Sequence, residues 1–245
     1  MTLARTKPVT GAVVQARTCS TRLPGKVLLP LLDGLTVLQY LHGRLSRCAN
    51  LDKVVIATTN KPCDDRLAGH AAAMGALVTR GDENDCLQRT LQAVREHGID
   101  VVARVTSDCP LVLPGVLDAM LGYYLANRDR LDYLSNREFT DFPEGVDVEV
   151  FGSWMLEEAQ AGTQSPRDRE HINYFFLDRP QRYRIRYYNH ATGRDFSRFK
   201  LSIDTEDDLR QGRRLFEVHG LRPDFGMADL FAALERMEAR EGDPT

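Results

Sequence analysis

Two arginines and a lysine fall close together near the start of the chain: Arg17, Arg22 and Lys26, in the stretch QARTCSTRLPGK from Gln15 to Lys26. Guanidinium groups offer forked donors to phosphate oxygens, an ammonium offers a mobile point charge, and Gly25 lets backbone amides approach a ligand. With Ser20 and Thr21 between them, these residues suit a triphosphate. Two aspartates far apart in sequence supply the opposite charge, Asp108 in RVTSDCPL and Asp204 in LSIDTEDDL. A hard cation such as Mg²⁺ takes one or two carboxylates and completes its shell with phosphate oxygens and water. Each feature also has a plainer reading. Arg17 and Arg22 could be solvated charges beside a Pro24-Gly25 turn. Asp108 could be a turn residue before Pro110, and Asp204 part of a helix cap ahead of Glu206 and Asp207.

To act together these residues need strands that end side by side. The apolar run Gly11-Ala12-Val13-Val14 reads as a buried strand before the cationic loop, and Val37, Leu38, Leu41 and Leu45 follow at helical spacing. Strands at 53–59, 76–79 and 100–106 then alternate with helices at 64–74, 85–96 and 114–127. Such βα units predict an α/β fold, a mostly parallel, mixed sheet sandwiched by helices. In an open sheet of this kind ligands bind beyond the carboxyl ends of the strands. The second half reads as strands at 133–136, 146–151, 183–188 and 200–203, with helices at 166–177 and 206–219. An amphipathic last helix carries Met227, Leu230, Phe231, Leu234 and Met237 on one face. Asp108 and Asp204 would both end strands and enter the crevice of the loop.

The 245 residues, 42% hydrophobic, can bury one substantial core. One domain over 1–245 is expected, with a nucleotide-binding half at about 10–132, an acceptor-binding and dimerisation part at about 133–199, and a closing strand and helices over 200–245. A net charge of −3 disfavours nucleic acid as a general partner. No apolar run approaches the ~20 residues that cross a bilayer, and MTLARTKPVTG has no core suited to a signal peptide. A cytoplasmic location is the default expectation. Cys19, Cys48, Cys63, Cys86 and Cys109 are scattered without a CxxC, which reads as reduced thiols used for packing, neither a disulfide framework nor a zinc site.

The loop has neither the GxxxxGK[ST] nor the GxGxxG spacing, which weakens the P-loop and dinucleotide-binding readings. It resembles instead the opening signature of the CMP-Kdo synthetase-like cytidylyltransferases, above all their spore coat polysaccharide biosynthesis branch. The match is carried by Gln15-Ala16-Arg17 and by STRLPGK from Ser20 to Lys26, with Cys19 where the branch usually has a smaller residue. RVTSDCPLV at 104–112, with Ser107 in place of a glycine, and IDTEDDL at 203–209 extend it, and the likeness spans about 13–219.

This resemblance implies a Rossmann-like nucleotidyltransferase fold of the nucleotide-diphospho-sugar transferase, GT-A-like type. It further implies transfer of CMP from CTP to a small acidic acceptor, a sugar acid or a related carboxylate or phosphonate, with release of pyrophosphate. Mg²⁺ would sit on Asp108 and Asp204. Arg17, Arg22 and Lys26 would stabilise phosphoryl charge, and Gln15, Ala16, Ser20 and Ser107 would join them around the nucleotide. VVIATTN at 54–60 and TRGDENDCLQR at 79–89 resemble the segments around the base and ribose, implying Thr58, Arg80 and Asp85 there. Thr58 could instead simply end a strand, and Asp85 cap a helix.

FPEGVDVEVF at 142–151 and PRDREHI at 166–172 look specific to the branch. They imply an acceptor site with Asn136, Asp147, Glu149, Arg169 and His171. Asp147 and Glu149 would share one strand face and need a cationic complement, for which Arg169 and His171 are the candidates. An Arg-Glu-His turn can also be merely a solvated face. The family association implies a homodimer through 133–188, where Phe139, Phe142, Tyr174, Phe175 and Phe176 would form an interface or else a core. A glycosyltransferase of the same fold and a non-catalytic nucleotide sensor are the other classes consistent with the sequence, and pyrophosphate release from CTP separates both from a cytidylyltransferase.

Overall fold

The computed structural model describes residues 7–241. Its first half alternates strand and helix: β1 (Thr10–Gln15), β2 (Pro30–Leu32), β3 (Leu35–Thr36), α1 (Val37–Leu45), β4 (Lys53–Thr59), α2 (Asp65–Ala73), β5 (Leu77–Gly81), α3 (Cys86–His97), β6 (Val101–Thr106) and α4 (Pro114–Asn127). The second half contributes β7 (Tyr133–Ser135), β8 (Glu149–Gly152), α5 (Trp154–Gly162), α6 (Pro166–Glu170), α7 (Ile172–Leu177), β9 (Ile185–Tyr187), α8 (Glu206–Glu217) and α9 (Met227–Glu241).

Seven strands form one sheet in the order β5-β4-β1-β6-β8-β7-β9. The pairings make β8 the one strand that runs against the other members of this sheet. Both faces are covered, and side chains alternate between them as the pleat requires. Ala12, Val14, Ile56, Ala103 and Val105 pack toward α1, α4, α8 and α9, while Val13, Val55, Ala57 and Val102 pack toward α3, α5 and α7. The expected α/β sandwich is therefore present, mixed but mostly parallel.

Local chemistry sets the boundaries in the first half. Thr36 accepts from the Gln39 amide at 3.1 Å while the Gln39 side chain accepts from Thr36 at 2.9 Å, a reciprocal cap that starts α1. Pro114 opens α4, where its missing N–H costs nothing. The β2–β3 hairpin was not anticipated, although Asp33-Gly34 between them, both at positive φ, is a two-residue turn signal.

The second half departs from expectation at α5 (Trp154–Gly162), a helix the sequence pattern does not announce, and in three further places. The expected helix 166–177 breaks at His171 (φ −117°, ψ 81°) into α6 and α7. The expected strand 146–151 begins only at Glu149, so Asp147 lies in the approach to β8. Residues 200–203 form no strand, and Lys200 makes only an isolated bridge to Glu144. Gly145 explains the close approach there. It sits at φ +100°, and a Cβ would come within 2.3 Å of the Ser202 nitrogen. The aromatics considered for an interface are mostly core: Phe142, Phe175 and Phe176 are buried, Tyr174 is half-buried beneath the Arg167 guanidinium, and Phe139 is exposed against Tyr187.

Candidate active site

β1 is hydrogen-bonded to β4 on one side and β6 on the other. The chain runs from β1 to β4 and β5, then returns to β6 across β1, so the sheet changes winding direction between β1 and β6. Loops after these two strands therefore part and leave a crevice. A cavity of about 360 Å³ occupies it, lined by the loop residues Gln15, Ala16, Arg17, Ser20, Arg22 and Lys26, by Ser107 and Asp108 after β6, and by Glu170, His171 and Asp204.

The cationic loop is closed by its own backbone. Gly25 donates to the Thr18 carbonyl at 2.8 Å and adopts φ +69°, a left-handed conformation that favours glycine. Thr18 is in turn pinned to Asp64, its amide at 2.7 Å and its hydroxyl at 2.6 Å. The chain then turns inward at Lys26, whose side chain is only 10% exposed.

Lys26 meets both aspartates. Its Nζ donates to Asp108 Oδ2 at 3.0 Å, to Asp204 Oδ1 at 3.0 Å and to the Ile203 carbonyl at 2.7 Å. The Ile203 amide donates to the Asp108 carbonyl at 2.8 Å, which joins the segment bearing Asp204 to the end of β6. Asp204 is not the helix cap. Thr205 caps α8 in a reciprocal pair with Asp208, leaving the Asp204 carboxylate to Lys26, to Arg22 at 2.9 Å and to Lys200 at 3.6 Å. Burial would raise the Asp108 carboxyl, but Lys26 and Thr106 together hold it below the usual carboxylate range. At Asp208 burial again opposes the charge, and the Lys200 hydrogen bond with the Asp204 and Thr205 amides brings it down to about 2.

These donors fit Mg²⁺. Two carboxylates and a carbonyl surround a single positive centre with hard oxygens at 2.7–3.0 Å, the ligand type that Mg²⁺ takes. Among the described residues no group of three or more His, Cys, Asp and Glu side chains could hold a metal, so a cation here would draw the rest of its shell from water and phosphate.

A second charged centre lies deeper, where Glu149, expected at the acceptor, meets Arg104, a residue the sequence analysis does not single out. Arg104 on β6 stands directly opposite Glu149 on β8 in the antiparallel register. The two form a buried ion pair, at 6% and 4% side-chain exposure, and Arg104 also donates to Gln15 Oε1 at 3.1 Å. Gln15 passes the chain on to Thr90 at 3.0 Å. Burial works against the Arg104 charge, yet the Glu149 carboxylate keeps its pKa above the ordinary value. Arginine inside the apolar run DVVARVT, matched by glutamate inside VDVEVF, was the available signal. Arg89 on α3 reaches the same cavity wall and donates to the Asp82 carbonyl.

A family model described as cytidylyltransferase matches residues 12–218. The chain belongs to the cytidylyltransferase family. Among its relatives, the spore coat polysaccharide biosynthesis protein SpsF of Bacillus subtilis is 31% identical, over 91% of this chain and 93% of its own. A cytidylyltransferase structure from Leptospira borgpetersenii superposes with a TM-score of 0.89 at 32% identity, covering 98% and 99% of the two chains. The structure of CMP:2-keto-3-deoxy-manno-octonic acid synthetase complexed with CTP aligns at a TM-score of 0.65 and 19% identity, covering 85% of this chain and 98% of that one, and shows a shared fold.

This cytidylyltransferase places the other expected residues as follows. Arg17 lies in the cavity between Glu83 and Glu170, at 3.9 and 3.8 Å. Arg80 is turned outward: its guanidinium serves the Thr59 and Lys61 carbonyls and Asp65. Thr58 is fully buried within β4, away from the cavity lining. Asp85 caps α3 through the Gln88 amide at 2.9 Å and pairs with Arg169. Arg169 is thus held against α3, while its neighbours Glu170 and His171 line the cavity.

The expected cationic complement is also different. Glu149 is satisfied by Arg104, and Asp147 faces Arg137. Asn136 staples the approach to β8, donating to the Val146 carbonyl at 3.1 Å and accepting from the Val148 amide at 2.6 Å. Cys19 and Cys63 are exposed rather than packed in the core. No helix among the described residues is long and apolar enough to cross a membrane.

Asp147 carries a pH signature. Burial, opposed by Arg137 and the Gly145 amide, pushes its carboxyl up to about 6 from an ordinary 3.8. Because the folded value lies above the unfolded one, the fold favours the protonated form, and that contribution is full below about pH 4 and lost as pH rises through about 6. Asp147→Asn is expected to remove this component. Urea titrations across that window check it, and an identical slope in wild type and variant counts against it.

Proposed function

We propose that this chain transfers CMP from CTP to a small acidic acceptor, releasing pyrophosphate. The observation that supports this best is the meeting of the cationic loop with Asp108 and Asp204 at the β1–β6 crevice, through Lys26. Arg17, Arg22 and Lys26 bind the triphosphate, and Gln15, Ala16, Ser20 and Ser107 shape its bed. Asp108 and Asp204 would hold Mg²⁺, which neutralises charge on the phosphate oxygens when bound. With phosphate present, Lys26 and Arg22 exchange a carboxylate partner for phosphate oxygens, keeping positive charge where the pyrophosphate departs. An acceptor oxygen attacks the α-phosphorus in line as the bond to the β-phosphate's bridging oxygen breaks. A phosphonate oxygen is already ionised at neutral pH and needs no general base, whereas a sugar acid that attacks through a hydroxyl gives up that proton to solvent or a nearby base as the bond forms.

The relatives support the acceptor class: one is named for spore coat polysaccharide biosynthesis and one for coupling a sugar acid. His171, which lines the α6 side of the cavity, is the side chain we assign to it. The test is a pyrophosphate-release assay with CTP against sugar acids and phosphonates, repeated with UTP. Release is expected with CTP and at least one such acid, and at least about tenfold faster than with UTP, because a site that pairs with the cytosine amine leaves buried groups unpaired on uracil. Equal rates with the two nucleotides, or no release with any acid, overturn it.

A further inference from the structure

The cationic loop carries a thiol that the transfer reaction does not use. Cys19 Sγ lies 2.7 Å from Sγ of Cys63, which sits in the short 3-10 turn Pro62–Asp64 ahead of α2. Both cysteines are exposed, whereas Cys48, Cys86 and Cys109 are buried. A bond of ~2.05 Å would need the two sulfurs to close by about 0.65 Å. The backbone is already arranged for it. Thr18, next to Cys19, donates its hydroxyl to the Cys63 carbonyl at 3.0 Å and its amide to Asp64 at 2.7 Å, so the two segments meet without the crosslink. The Lys61 side chain, which pairs with Glu83, stands close enough to interact with both sulfurs.

We propose that Cys19 and Cys63 form a thiol–disulfide exchange site that takes a small-molecule disulfide and locks the cationic loop. One protein thiolate attacks a sulfur of the external disulfide, forming a mixed disulfide and expelling one thiolate. The second protein sulfur then attacks the first, forming the Cys19–Cys63 bond and expelling the other thiolate. The two protein thiols are oxidised, the external disulfide is reduced to two thiols, and these take up the two protons released. The consequence for nucleotide rests on the function proposed above. In the present loop geometry Arg22 lies on Asp204 and Arg17 between Glu83 and Glu170. Fixing residue 19 holds the cations on these acids and away from phosphate.

The probe is a mixture of oxidised and reduced glutathione at about pH 8, near the ordinary thiol pKa, because the hydrogen bond to Cys63 pushes the Cys19 thiol up. Intact mass should fall by two hydrogens, and a protease digest should yield a peptide crosslinked between Cys19 and Cys63. CTP titrated calorimetrically should bind about tenfold more weakly to the oxidised protein, with recovery on adding dithiothreitol. Cys63→Ser should keep the reduced protein's affinity and lose the response. Glutathione adducts on the separate thiols without the crosslinked peptide overturn the site, and a crosslink with unchanged CTP affinity overturns the lock. Reduced protein that binds no CTP counts against the proposed function instead, and the mass measurement still decides the thiol pair.

Discussion

Asp108→Asn and Asp204→Asn are each expected to lower CTP turnover by at least about a hundredfold, the scale of losing one preorganised electrostatic contact to the reacting phosphates. Neither aspartate belongs to the apolar core. In each variant Lys26 retains the other carboxylate and the Ile203 carbonyl, so the buried ammonium is never without an acceptor. The stability cost should accordingly stay within about 1–3 kcal/mol, the range for a charged hydrogen bond. Pyrophosphate release at millimolar Mg²⁺ measures the first effect and thermal unfolding the second. Near-normal rates in either variant would remove that aspartate from the proposed metal site.

Glu149→Ala should be the most destabilising single change among the charged residues discussed. It leaves Arg104 buried and uncompensated, and breaking a buried pair in this way typically costs about 3–5 kcal/mol. For a chain of this size that corresponds to a fall of roughly 10 °C in Tm. Replacing both partners, Arg104→Met with Glu149→Leu, should recover most of the loss, because the desolvation penalty of the pair disappears with it. Urea melts of the two single variants and the double variant form the test. If Glu149 served the acceptor alone, Glu149→Ala would leave unfolding unchanged and raise only the acceptor KM.

The thiol pair and the ion pair share a property that matters for reading such chains. Cys19 and Cys63 are 44 positions apart, and Arg104 and Glu149 are 45 apart. No local pattern joins them, and each pair exists only because the sheet order brings two loops or two strands together. The same holds for Arg169, which belongs to a segment expected at the acceptor but which α3 claims through Asp85.

Much was nonetheless legible in the residues alone. The run KVVIATT was bounded correctly as β4, and the helix opened by Pro114 was bounded correctly as α4, because apolar periodicity and caps act within a few residues. The cationic loop and Asp108 were placed beyond the ends of β1 and β6 for the same reason, since a strand ends where its apolar run does. What the tertiary structure decided was partnership. Lys26 reaches Asp108 across 82 positions and Asp204 across 178. Asp204 is supplied by an irregular segment, anchored at Gly145 and Ile203, and not by the strand that its apolar neighbours suggested. Periodicity reports which face of an element is buried, but charge pairing depends on strand order and register. Those are settled by the packing of the whole sheet, so the chain's short-range patterns could place the charges at one edge without showing which of them would meet.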